Sequence, residues 1–197
     1  LSDVDDTETE VATVVLEVVC RDAWGARRPT REYVRHKIRK LTVHHQGVVF
    51  EDNSRAPRRL LSMQRYHQGP DKNFADIAYH YVIDLEGNIF EGRPTWAAGE
   101  TETDYDPTGH LLVCLLGNFE EQTPTTKQID VLVSLLAWAS KEFEVPITSI
   151  EGHRDHAHTL CPGKNLHRLI SSDIRCRVSD SSRTEFRITP LCGDAGK

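Results

Sequence analysis

The period of the hydrophobic pattern changes several times along the chain, and each change marks an element. Residues 76–84, Asp-Ile-Ala-Tyr-His-Tyr-Val-Ile-Asp, alternate as a strand does. The turn Leu85-Glu86-Gly87-Asn88 leads from there into Ile89-Phe90-Glu91, so the two runs read as a hairpin. Residues 41–45 are strand-like and end in paired histidines, His44 and His45. Residues 111–116 are continuously apolar, as in a strand covered on both faces, and residues 149–153 form a short strand that delivers His153 to a sheet edge. A further β-rich run occupies residues 11–19.

Helical spacing is clearest after Thr123. That residue caps, Pro124 takes the first helical position, and Ile129, Leu132, Val133, Leu136, Ala139 and Phe143 share one face before Pro146 ends the helix. A shorter helix is predicted over 55–67, with Ser54 as its cap and Gly69-Pro70 as its stop, and another over 166–174. Trp24, in a turn-rich segment, reads as a packing anchor. Together these predict an α/β domain with a central mixed β-sheet of about five to six strands flanked by helices, a class in which sites collect at strand ends. The domain is expected at 20–175. Residues 1–19 form an acidic arm whose β-rich run would add an edge strand, and 176–197 a polar tail.

Composition narrows the partners. With 38% hydrophobic and 27% charged residues, the 197-residue chain can bury one sizeable core. Its formal charge of −6, with lysine and arginine scattered, argues against a nucleic-acid partner. No apolar run approaches the roughly 20 residues of a membrane span. No basic start followed by an apolar stretch opens the chain, so no signal peptide is expected within it, and a start at Leu1 fits a mature or trimmed fragment. The carboxylates of Glu100, Glu102, Asp104 and Asp106 lack the glycine and closing glutamate of a calcium loop, so a solvated loop is expected there.

Chemistry is concentrated in residues 151–163, Glu-Gly-His-Arg-Asp-His-Ala-His-Thr-Leu-Cys-Pro-Gly. Imidazole and thiolate are the ligands Zn²⁺ prefers, and a catalytic zinc takes three protein ligands and leaves one position open. This stretch can supply two; the third is His44 or His45 but not both, because adjacent strand residues point to opposite faces. A structural zinc would need a closing fourth ligand such as His156 or His158. Of the other cysteines, Cys114 reads as a small core residue, and a Cys176–Cys192 disulfide would give the tail a reason to stay folded.

Over roughly residues 20–175 the chain resembles zinc N-acetylmuramoyl-L-alanine amidases of the peptidoglycan recognition protein and phage T7 lysozyme type. The likeness is carried by Trp24-Gly-Ala-Arg27, Val43-His-His45, Asp76-Ile-Ala-Tyr-His80, residues 84–93, Leu115-Leu-Gly-Asn-Phe119, Gly152-His-Arg154 and Thr159-Leu-Cys-Pro-Gly163, in that order. The resemblance implies a single zinc at the strand ends, held by His44, His153 and Cys161. It implies catalytic roles for Tyr79, beside the attacking water or developing oxyanion, and for Thr159, which stands where the phage enzyme has lysine. It also implies a peptidoglycan or muropeptide substrate and a monomer acting outside the cytoplasm, secreted or in the cell envelope. The alternative it carries is a non-catalytic recognition module of the same fold, in which the cysteine is typically replaced.

Some positions depart from the family pattern. Thr101 and Asp106 replace a histidine and an asparagine that would lie along the glycan and stem-peptide groove, and Trp96 sits one place late. The cysteine pair that animal members carry after the His-His motif is absent, which points to a bacterial or phage-related protein.

Overall fold

A computed structural model of the chain describes residues 12–192; the acidic residues 1–10 lie outside them. Seven strands form one mixed sheet, more than the five or six expected: β1 (Thr13–Val19), β2 (Lys40–His45), β3 (Tyr81–Ile83), β4 (Ile89–Glu91), β5 (His110–Leu115), β6 (Ile150–Gly152) and β7 (Glu185–Leu191), in the order β6-β2-β5-β3-β4-β1-β7. The first four in this order run parallel, β4 pairs antiparallel with β3, and β1 and β7 run parallel to β4.

The pleat sorts side chains between two helical layers. Leu41 and Val43 of β2 and Leu111, Val113 and Leu115 of β5 face α2 (Thr126–Glu142), whose Ile129, Leu132, Val133 and Leu136 complete the larger core. Leu166, Ile170, Ile174 and Val178 join the same core from the C-terminal helical segment, which runs through α3 (Lys164–Leu169), a π turn (Ile170–Ile174) and α4 (Arg175–Asp180). On the opposite face Val82, Phe90 and Cys114 pack with Leu60 and Met63 of α1 (Ala56–His67) and with Trp24, whose indole N–H donates to Glu91 O at 2.9 Å. Among the described residues, no helix is long and apolar enough to cross a membrane.

Several boundaries differ from the sequence reading for physical reasons. Helix α2 starts after Thr125, not Thr123, because Thr125 and Gln128 form a reciprocal capping box. Ahead of α1, Asp52 accepts the Ser54 N–H (3.2 Å), so Ser54 is capped rather than capping. Residues 76–80 are irregular rather than strand. Here the buried Asp76 carboxylate accepts from Arg21 (2.8 Å), the Tyr33 hydroxyl (2.5 Å), Gln64 Nε2 (2.6 Å) and the Ile77 amide (2.7 Å). Arg93, 2% exposed, donates to the carbonyls of Ile77, Ala98 and Asp76 and to Glu100. The acidic loop is correspondingly less solvated than expected, since Glu100 also takes Arg31 and the Ala75 amide and Glu102 pairs with Lys72.

The tail departs furthest. Residues 185–191 alternate Phe186 and Ile188 toward the core, and the resulting strand lies outside β1, so β1 is not the edge. Pro190 is tolerated because β7 is the edge strand. In this register Val19 lies beside Leu191, which sets Cys20 and Cys192 side by side (Cα–Cα 4.8 Å) in a disulfide. The expected Cys176–Cys192 pairing is thereby corrected, because Cys176 lies exposed and free on α4. Peptide mapping without reduction should recover a Cys20–Cys192 cross-link and an alkylated Cys176. Cys20→Ser should cost about 2–5 kcal/mol in denaturant unfolding, since the bond closes almost the whole chain.

Two buried histidines set an acid limit. His80 donates from Nε2 to Ala97 O (2.8 Å) and accepts the Leu112 N–H at Nδ1 (2.9 Å), so it is neutral, and His67 Nδ1 accepts the Ala78 N–H (3.1 Å). Burial pushes their pKa values down to about 3 and about 4. Bases depressed in this way bind fewer protons folded than unfolded. Their contribution is therefore full above about pH 6.5 and declines as pH falls towards 4, by up to about 1.4 kcal/mol per pH unit for each histidine. Unfolding free energies at pH 7.5 and pH 5 test this, and equal values would refute it.

Candidate metal centre

His44 is the fifth residue of β2 and shares its sheet face with Thr42, opposite the face that carries Leu41, Val43 and His45. Val43 is paired with Gly152 in the neighbouring parallel strand, so the residue following that strand, His153, arrives beside His44, with ring centroids 4.6 Å apart. Both lie at the C-terminal ends of their strands. Cys161 comes from the loop after β6 and brings its Sγ to 3.5 Å from His44 Nδ1.

Two glycines let that loop close. A Cβ on Gly152 would meet Pro162 and the His167 ring at under 3 Å, and one on Gly163, where φ is +87°, would lie 2.3 Å from the Phe119 backbone. The Cys161–Pro162 peptide is cis. Asp155 accepts the Gly152 N–H (2.8 Å) and faces His167 Nε2 (2.8 Å), so it braces this turn rather than a ligand.

The candidate donor atoms of His44, His153 and Cys161 all lie within 4.8 Å of one another. Ligands of one tetrahedral zinc sit roughly 3–4 Å apart, so a small contraction would close the set. The protein alone leaves it unsatisfied: His44 Nε2 is buried with no hydrogen-bond partner among the described residues. Burial holds His44 well below the usual imidazole range and His153 down at about 4, which keeps both neutral, the form a metal takes. Burial also pushes the Cys161 thiol up to about 12, although the His45 amide donates to its sulfur (3.3 Å). A cation reverses that preference, because a coordinating thiol is deprotonated outright.

The other residues singled out by the sequence lie as follows around this set. Tyr79 packs on His44 (ring centroids 5.3 Å), and burial raises its phenol well above the usual range, so the hydroxyl stays protonated. Thr159 accepts the Cys161 N–H at 3.2 Å and lines, with Tyr79, His153 and Cys161, an open cavity of about 420 Å³. His45 turns away, its Nδ1 accepting the Phe119 N–H (3.1 Å). His156 and His158 stay out of the donor group; His156 packs on His110 and Tyr105, and His158 is exposed. Sequence reasoning missed Thr103, whose hydroxyl lies 2.6 Å from His153 Nε2, because no motif spacing links the two.

Two imidazoles and one thiol gathered beside parallel strand ends define an α/β domain with one candidate metal centre among the described residues. The chain belongs to the N-acetylmuramoyl-L-alanine amidase family, whose pattern matches residues 34–164. It is similar to peptidoglycan-recognition protein SD of Drosophila simulans, 30% identical over 158 residues that cover 78% of this chain and 83% of that protein. Among solved structures it is similar to Drosophila peptidoglycan recognition protein SD, with a TM-score of 0.71, 27% identity and 79% and 93% of the two chains covered. A point mutant of Drosophila PGRP-LB in complex with tracheal cytotoxin is similar at a TM-score of 0.70 and 25% identity, covering 79% and 94%. The missing cysteine pair is thus no barrier to likeness with animal proteins. The family is described by amidase activity, and these relatives are named for recognition.

Gly163→Ala should displace the Cys161 loop. We expect a loss of more than about 1 kcal/mol in stability together with weakened zinc binding, read by thermal unfolding and by chelator competition. Unchanged values in both would contradict the close approach to Phe119.

Proposed function

We propose that the chain is a zinc-dependent amidase that hydrolyses the amide between N-acetylmuramic acid and L-alanine in peptidoglycan. The observation that carries this reading is the three-donor set opening, beside Tyr79 and Thr159, into a cavity. Three donors and an open side are the pattern of a catalytic rather than a closed structural zinc. When bound, zinc supplies Lewis acidity, polarising a carbonyl and lowering the pKa of water towards ~7.

The chain's own residues supply the rest. His44, His153 and Cys161 would hold the ion. Tyr79, kept protonated by burial, donates its hydroxyl proton in a hydrogen bond to the oxyanion that develops as the scissile carbonyl becomes tetrahedral. Thr159 already accepts the Cys161 amide, which leaves its hydroxyl proton free to orient water or substrate. A second hollow of about 560 Å³, lined by Tyr33, Phe74, Arg93 and Tyr105, gives room for the remainder of a muropeptide. Tyr105 also packs on His153 (ring centroids 5.1 Å), so that hollow adjoins the centre. The Cys20–Cys192 disulfide favours work outside the cytoplasm, where such bonds persist and the wall lies.

A recognition module of the same fold is the second reading, favoured by the names of the relatives and by Thr101 and Asp106 in the groove-lining segment. Release of stem peptide from purified peptidoglycan separates the two. The zinc-loaded chain should generate new L-alanine amino termini, chelation should stop this, and added zinc should restore it. Cys161→Ser should abolish release, and Tyr79→Phe should lower kcat roughly 10²–10³-fold. Binding to the wall by zinc-loaded protein with no release would establish the recognition reading instead.

A further inference from the structure

We infer that Thr103 is a positioning residue for the metal centre: its hydroxyl fixes the tautomer and ring orientation of His153. The inference rests on the zinc reading above and adds a residue outside every motif that carries the family likeness.

His153 is 7% exposed, and its Nε2 lies 2.6 Å from Thr103 Oγ1. With that nitrogen engaged, Nδ1 is the one left for a metal, and the ring proton must then sit on Nε2 and donate to Thr103. The neighbouring hydroxyl completes this arrangement. Thr103 Oγ1 and Thr101 Oγ1 are 2.7 Å apart, and Thr101 Oγ1 also accepts the Thr103 amide at 3.1 Å. Thr103 can therefore accept from His153 and pass its own proton to Thr101 Oγ1. The opposite direction would have Thr103 donate to Nε2 and put the ring proton on Nδ1, where no metal can bind. The centre thus needs one of two hydrogen-bond directions, and Thr103 can supply it only because it both accepts and donates.

The loop that carries these hydroxyls is itself tied down. Glu100 holds Arg31, Arg93 and the Ala75 amide, and Glu102 holds Lys72, on either side of Thr101. Tyr105 packs on His153 and His156 two residues beyond Thr103. Thr103 is thereby held by a strap anchored on the wall of the second hollow, and the segment that departs from the family pattern at Thr101 is the one that braces the ligand.

Zinc affinity of the full chain, measured by competition with a chromophoric chelator, tests this. Thr103→Val removes the hydroxyl at nearly constant shape and should weaken zinc binding about 10–100-fold, whereas Thr103→Ser should keep the native affinity. Native affinity in Thr103→Val, or equal loss in both variants, would overturn the inference. Should Thr103→Val fail to fold, nitrogen NMR of the zinc-loaded native chain decides. His153 is then expected to carry its proton on Nε2 in a hydrogen bond, and a proton on Nδ1 overturns the proposal. A native chain that takes up no zinc defeats this inference and the amidase reading together. Zinc uptake with the expected order of variants, but no release of stem peptide, defeats the hydrolase alone.

Discussion

The pleat of β2 is the constraint on which the rest of the site depends. Leu41 and Val43 are fully buried against α2, so the register of the strand cannot slip without exposing them. That parity sends Thr42 and His44 to the opposite face. It leaves His45 on the α2 side, where its ring closes on the Phe119 amide and its own backbone amide reaches the Cys161 sulfur. Hydrophobic burial several residues away thus selects which histidine of an adjacent pair can meet a metal. Pairing of β2 with β6 then places His153 by backbone register alone.

A second layer of order comes from buried polar groups. Asp76 and Arg93 are among the most buried charged side chains; the Asp76 carboxylate accepts four hydrogen bonds, and four of the five Arg93 N–H groups have a partner. Such groups are costly unless every lone pair and proton is used, which makes the surrounding geometry nearly unique. Here they hold the irregular stretch 76–80, and with it Tyr79, against His44. Through Glu100 the same network reaches the loop over the second hollow, so scaffold and groove share one set of contacts.

Membership of the amidase family and likeness to recognition proteins coexist because the fold is common to both and the chemistry lies in a few side chains. In this chain the thiol, both imidazoles and the tyrosine are present and converge, whereas the groove segment from Thr101 to Asp106 has its own character. The first group bears on whether a bond is cut. The second bears on which ligand is held, and the two are coupled physically at the contact between Thr103 and His153.

Much of this was legible in the sequence, and for a local reason. The period of the apolar positions marks α2 and the core strands, because helix and strand sort apolar side chains by spacing along a single segment. His and Cys within thirteen residues, with a second pair upstream, announce a metal chemistry in the same way. What the sequence left open was whatever depends on two segments distant along the chain. Strand parity left His44 or His45 until the family resemblance pointed to His44; the expected Cys176–Cys192 bond is replaced by Cys20–Cys192, and the brace of Thr103 on His153 had no sign in the sequence, each contact arising from strand register or loop docking. A disulfide across 172 residues and a hydrogen bond across 50 have no periodic trace, since only the folded sheet brings their atoms together. The tail shows the same limit: residues 185–191 alternate weakly and contain a proline, and they become a strand because β1 offers an unpaired edge.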